Sequence, residues 1–134
     1  MRSLKQFIND TEDKVIIPGG YMVPRSQMPQ IDDVTHFVTW LELKGVQSYK
    51  VELDPKLIKP IQSMVDRNKI RKLSSLEITK PVIVSEDMFL LDGHHRLFSV
   101  IRHDPNKNVV AIVVQLPINK LFQLTSEYLE QVDD

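Results

Sequence analysis

The residues Asp92-Gly93-His94-His95-Arg96 gather a carboxylate, a glycine, two imidazoles and a guanidinium in consecutive positions. The apolar run Met88-Phe89-Leu90-Leu91 precedes them and the amphipathic stretch Leu97-Phe98-Ser99-Val100 follows. That order predicts a buried strand, a turn at Gly93 and a helix, with the glycine letting backbone approach a ligand closely. First-turn amides of such a helix favour anions. Arg96, one turn in, adds a planar fork suited to phosphate or carboxylate oxygens.

Three chemistries fit this corner. In one, the amides of Gly93, His94 and His95 and the Arg96 guanidinium hold a phosphate, while Asp92 coordinates a cation or orients a hydroxyl. In another, His94 or His95 titrates near neutral pH and serves as general acid or base. A purely structural reading has Asp92 capping the helix, Arg96 pairing with a neighbouring carboxylate and one histidine filling space. The coincidence of five such residues with a strand-to-helix turn favours a functional role. A dedicated histidine metal site is disfavoured, because adjacent histidines diverge on a helix and His36 and His103 show no ligand spacing.

The surrounding elements follow from periodicity. Residues 3 to 9 suit a short helix, and Val15-Ile16-Ile17 is an apolar run closed by the turn signal Pro18-Gly19-Gly20. Residues 21 to 31 carry two prolines and no clean period, which predicts an ordered extended segment anchored by Met22, Val23, Met28 and Ile31 beside the corner. Asp32-Asp33 open a helix through Leu43, with Val34, Phe37, Val38 and Leu41 on one face and Gly45 as its stop. Residues 49 to 53 alternate as a half-buried strand. Asp66 begins a helix carrying Ile70 and Leu73. Val82-Ile83-Val84, the turn Ser85-Glu86-Asp87 and residues 88 to 91 form a hairpin leading into the corner. Residues 109 to 116 are a strong strand, and Pro117 starts a final helix with Ile118, Leu121, Phe122, Leu124 and Leu129.

The class is therefore mixed α/β (α+β), one compact domain over residues 1 to 134 with a small mixed sheet flanked by helices. Residues 1 to 45 read as an N-terminal extension packed on the core, 46 to 116 as the core and 117 to 134 as a C-terminal helix. A net charge of −1 gives no global field for nonspecific nucleic-acid binding. Residues 50 to 107 hold eleven Lys/Arg against eight Asp/Glu, whereas residues 108 to 134 hold one against four, so the middle is mildly basic. A solvated helix face with Arg67, Lys69, Arg71 and Lys72 accounts for most of that. The chain has no cysteine, which removes disulfides, thiolate metal sites and a cysteine nucleophile. Neither a signal peptide's apolar block nor a membrane-spanning run is present, so the expectation is a soluble protein of the cytoplasm without membrane partners.

The Asp92-Gly93-His94-His95-Arg96 corner resembles the phosphate-binding motif of the ParB/sulfiredoxin superfamily, a strand, an Asp-Gly-x-x-Arg turn and a helix. Leu57-Ile58-Lys59-Pro60-Ile61-Gln62 followed by Asn68-Lys69-Ile70 is similar to that family's Leu-x-Pro-x-Gln segment, and Lys80-Pro81-Val82-Ile83-Val84 to its Pro-Ile-Val strand. The resemblance covers about residues 49 to 103 and is specific at the corner. It implies a ParB/sulfiredoxin-like core that binds ATP or another nucleotide, or a nucleic-acid phosphate, with Mg2+. Asp92 would be the metal or hydroxyl-orienting group, Gly93, His94 and Arg96 the phosphate cradle, and His95 or His94 the acid/base. The family includes CTP-binding partition proteins, ATP-using sulfiredoxins, free serine kinases and ParB-like nucleases, and fold alone does not choose among them. The absence of a Gly-Glu-Arg-Arg form and of a helix-turn-helix after residue 116 argues against partitioning. The absence of cysteine excludes sulfiredoxin chemistry. Kinases with an Asp-Gly-His loop use a glutamate near the first strand as base, which points to Glu52.

Arg25-Ser26-Gln27-Met28-Pro29-Gln30-Ile31 is similar to a segment ahead of this domain in small proteins of tailed bacteriophages. Arg25 would supply a phosphate fork and Gln30 an amide able to read a base edge or peptide, or the loop is polar filler with Met28 plugging the core. Gln62 either bonds the corner's backbone as scaffold or touches ligand. Trp40 reads as half-buried packing, Ser85 and Ser99 lack a nucleophile-elbow context, and Gly19-Gly20 lacks the Lys-Ser/Thr of a P-loop. The resulting expectation is phosphoryl transfer or phosphodiester cleavage by a ParB-like nuclease or nucleotide-dependent phosphotransferase. The rival is a non-catalytic viral accessory module that binds a host protein or nucleic acid.

Overall fold

The structure, a computed structural model, describes residues 14–16, 29–60, 64–66, 80–104 and 106–132. Expectations for residues 3 to 9, the Gly19-Gly20 turn, Arg25 and Met28, Gln62, and a helix bearing Ile70 and Leu73 lie outside the described residues. In chain order the elements are β1 (Lys14–Ile16), α1 (Val34–Leu43), β2 (Ser48–Leu53), a 3-10 turn (Pro55–Leu57), β3 (Met64–Asp66), β4 (Val82–Ser85), β5 (Leu90–Asp92), α2 (His94–His103), β6 (Val109–Val114) and α3 (Ile118–Val132).

The main sheet has the order β2-β6-β4-β5. β6 runs antiparallel to β2 and parallel to β4, and β4 runs antiparallel to β5 across the 85-to-88 turn. A mixed sheet flanked by helices is thus the architecture. Its residues face two cores. Val82, Val84, Leu90 and Ala111 pack with Leu97 and Phe98 of α2, whereas Ile83, Leu91 and Val114 pack with Phe37 and Leu41 of α1 and Leu121 of α3. The sheet is covered on both faces, which is why its central strands read as continuous apolar runs.

Local chemistry sets the helix ends. The Asp33 side chain accepts from the His36 amide at 3.0 Å to open α1. At its far end Gly45, at φ +82°, allows Gly45 N–H to reach Glu42 O and Val46 N–H to reach Leu41 O, a Schellman closure. α3 is capped from elsewhere in the chain: the Asp87 carboxylate, held by the Ser85 hydroxyl, accepts from Ile118 N–H at 3.0 Å. The buried stripe of α3 is Ile118, Leu121, Thr125 and Tyr128. Phe122, Leu124 and Leu129 are partly buried against the same core.

The largest departures from the sequence reading concern β5 and β3. The hairpin's second strand is Leu90–Asp92 instead of 88 to 91, because Met88 adopts φ +69° and closes the turn by donating to Ser85 O. Asp66 ends β3, paired with Lys14 of β1, instead of opening a helix. That ladder joins segments about fifty residues apart in sequence and leaves no local signature. Among the described residues no helix is long and apolar enough to cross a membrane.

Candidate phosphate-binding corner

β5 delivers Asp92 to the edge of the sheet, and the chain turns into α2 through Gly93 at φ +105°. A β-bulge prepares that turn: Ile83 pairs with Asp92 and Val84 with Leu90, leaving Leu91 as the extra residue. Only glycine fits. A Cβ at position 93 would lie 2.7 Å from Val82 Cγ1 and 3.0 Å from Arg96 Nη2. Gly93 is the N-cap residue of α2, and no side chain caps it. Asp92 thus stands one residue before the cap position, with its carboxylate accepting from the Gly93 amide.

Asp92 also faces Arg96. Arg96 Nη2 donates to Asp92 Oδ2 at 3.2 Å and to the Pro81 carbonyl at 3.4 Å, with 18% and 12% of the Arg96 and Asp92 side chains exposed. The pair bridges strand and helix across the glycine, as the structural reading of Arg96 anticipates. Arg96 Nε is buried with no hydrogen-bond partner. Burial pushes the Asp92 carboxyl above its ordinary value, opposed by the Arg96 charge and hydrogen bond and by the backbone amides of Ile31 and Gly93. The Ile31 amide is a partner that sequence reasoning missed as a contact. It brings the end of the 21-to-31 segment against the corner, with Pro29 and Ile31 buried and Gln30 exposed between them. The apolar residues flanking Gln30 were the available signal.

The histidines separate sharply. His94 is buried, and burial, with the charge of His95 adding to it, pushes its imidazole down to about 3. A buried ring held neutral near neutral pH is poorly suited to the acid/base role considered for it. His95 is half-buried on the helix's first turn. Glu52 is not brought to the site. It is exposed on β2, and the strand order places it three strand spacings from Asp92, about 14 Å in the pairing direction. Trp40 packs edge-on against Tyr128 and donates to Gln131, so it serves the α1–α3 contact.

The Asp92 oxygens already accept from Arg96 and two backbone amides, and among the described residues no three His, Cys, Asp or Glu side chains converge. Comparison of the chain with protein-family models, with curated proteins and with solved structures returns no match.

Proposed function

We infer that the Asp92-to-Arg96 corner binds the phosphate of a nucleotide or nucleic acid. The observation that carries this reading is the left-handed Gly93 opening α2 with no side-chain cap, beside a guanidinium whose Nε lacks a partner. Asp92 then acts mainly by holding Arg96 in place. Magnesium enters this proposal only as a companion of the ligand's own phosphates, and no step depends on it. For phosphoryl transfer or phosphodiester cleavage, the proton-handling groups left at the corner are His95 and Asp92. With Glu52 across the sheet and His94 buried, a second reading, phosphate binding without turnover, gains weight.

The test is thermal shift with ATP, CTP and ADP, each with and without magnesium, on the wild type and on Arg96→Ala. Ligand selective for the native state must raise the melting temperature. Arg96→Ala should weaken binding by roughly 1.5–3 kcal/mol in affinity, with circular dichroism confirming that the variant is folded. No shift with any nucleotide, or wild-type affinity in folded Arg96→Ala, would overturn the assignment. Phosphate release from bound nucleotide separates the catalytic reading from the binding one.

A further inference from the structure

β2 occupies an edge of the main sheet, and among the described residues it pairs with β6 alone. The Gln115 amide donates to Gln47 O, which sets the alternation of the β2–β6 ladder. Tyr49, Val51 and Leu53 therefore direct their main-chain groups at β6, and Ser48, Lys50 and Glu52 direct theirs at the outer edge, where no described strand lies. Long open edges invite pairing with another chain, and natural proteins commonly guard them with charge. Here the charges are opposite in sign, two residues apart and both exposed. Tyr49, on the opposite face of the strand, is 51% exposed.

We propose that β2 is the pairing edge of a two-fold homodimer, with Ser48–Leu53 of two copies lying antiparallel and Val51 on the axis. In that register Lys50 of each copy stands opposite Glu52 of the other, and Tyr49 opposite Leu53. The main-chain parity agrees: the Lys50–Glu52 pairs are the hydrogen-bonded ones, and Val51 meets its copy in a non-hydrogen-bonded pair. Sliding by two residues either way opposes Lys50 to Lys50 or Glu52 to Glu52, and like charges directly opposite are destabilising. The strand is thus self-complementary in one register, as an isologous interface requires. The two main sheets would become continuous through β2.

Sedimentation equilibrium over a concentration series tests this, with wild type expected at twice the 15.5 kDa chain mass. Lys50→Glu and Glu52→Lys each turn both cross-strand pairs repulsive and should raise the dimer dissociation constant roughly tenfold or more. The double charge swap should restore dimerisation, and mixing the two single variants should yield a heterodimer. Val51→Cys, in a chain that otherwise lacks cysteine, should cross-link to itself under mild oxidation, because non-hydrogen-bonded partners sit about 4.5 Å apart at Cα. Lys50→Cys, offset by two residues from its own copy, should not. A wild type that stays monomeric overturns the proposal, as does a dimer that ignores the charge swaps while Val51→Cys fails to cross-link. Circular dichroism of each variant checks the fold, and the rescued double swap excludes simple misfolding as the cause of monomer.

Discussion

Substituting Gly93 by alanine tests the corner's geometry directly, because two separable terms act there. The first is backbone: at φ +105° an L-residue is strained by roughly 1–2 kcal/mol, partly offset by the smaller entropy of the unfolded alanine chain. The second is steric. A new Cβ would sit 2.7 Å from Cγ1 and 3.1 Å from Cβ of Val82, a fully buried residue of β4 that cannot swing away. Overpacking of this kind costs about 1–3 kcal/mol. Gly45 isolates the first term, since it has φ +82° and a methyl added there would meet nothing within 4 Å. Gly45→Ala should therefore destabilise by about 1 kcal/mol and Gly93→Ala by about 2–5 kcal/mol. Urea unfolding followed by circular dichroism reads the difference, which at ordinary m-values is about 1 M in midpoint. Adding Val82→Ala to Gly93→Ala should recover part of the steric term, giving a coupling energy of about 1 kcal/mol in a double-mutant cycle. If Gly93→Ala costs no more than Gly45→Ala, the close approach of the corner to β4 is refuted.

Two further outcomes follow from the described contacts. His94 is held at about 3 when folded against an ordinary 6.5, so the unfolded chain binds the extra proton between those values. Stability from this group is intact above 6.5 and is lost as pH falls, by about 2 kcal/mol between pH 7 and pH 5. The raised Asp92 carboxyl works in the opposite sense, lowering stability as pH rises above its ordinary 3.8 through its folded value. His94→Gln should flatten the acid-side loss of urea midpoint, and equal pH dependence in the two proteins would contradict the burial argument. Asp87→Ala removes the acceptor of Ile118 N–H and should cost about 1 kcal/mol, read as a fall in melting temperature, whereas Asp87→Asn, which retains an acceptor, should cost less.

Elements whose geometry is local were legible in the sequence. Gly93 and Gly45 mark two places where a described segment must take positive φ, and apolar periodicity located α1, α2, β4, β6 and α3 to within a few residues. The cluster from Asp92 to Arg96 was legible for the same reason, since neighbours in sequence at a strand-to-helix turn remain neighbours in space. What those side chains face was decided by tertiary structure alone. The Asp92–Arg96 pair is one of several arrangements open to an i,i+4 couple, and it is selected by the bulge, the Pro81 carbonyl and the Ile31 amide arriving from about sixty residues away. His94 is buried and His95 half-buried, and no property of the dipeptide His94-His95 says which of the two goes inside. Glu52 left the site because strand order, set by long-range pairing, put β2 and β5 on opposite edges. Local pattern states which faces of a strand are apolar; only the summed burial of the folded chain states which strands become neighbours.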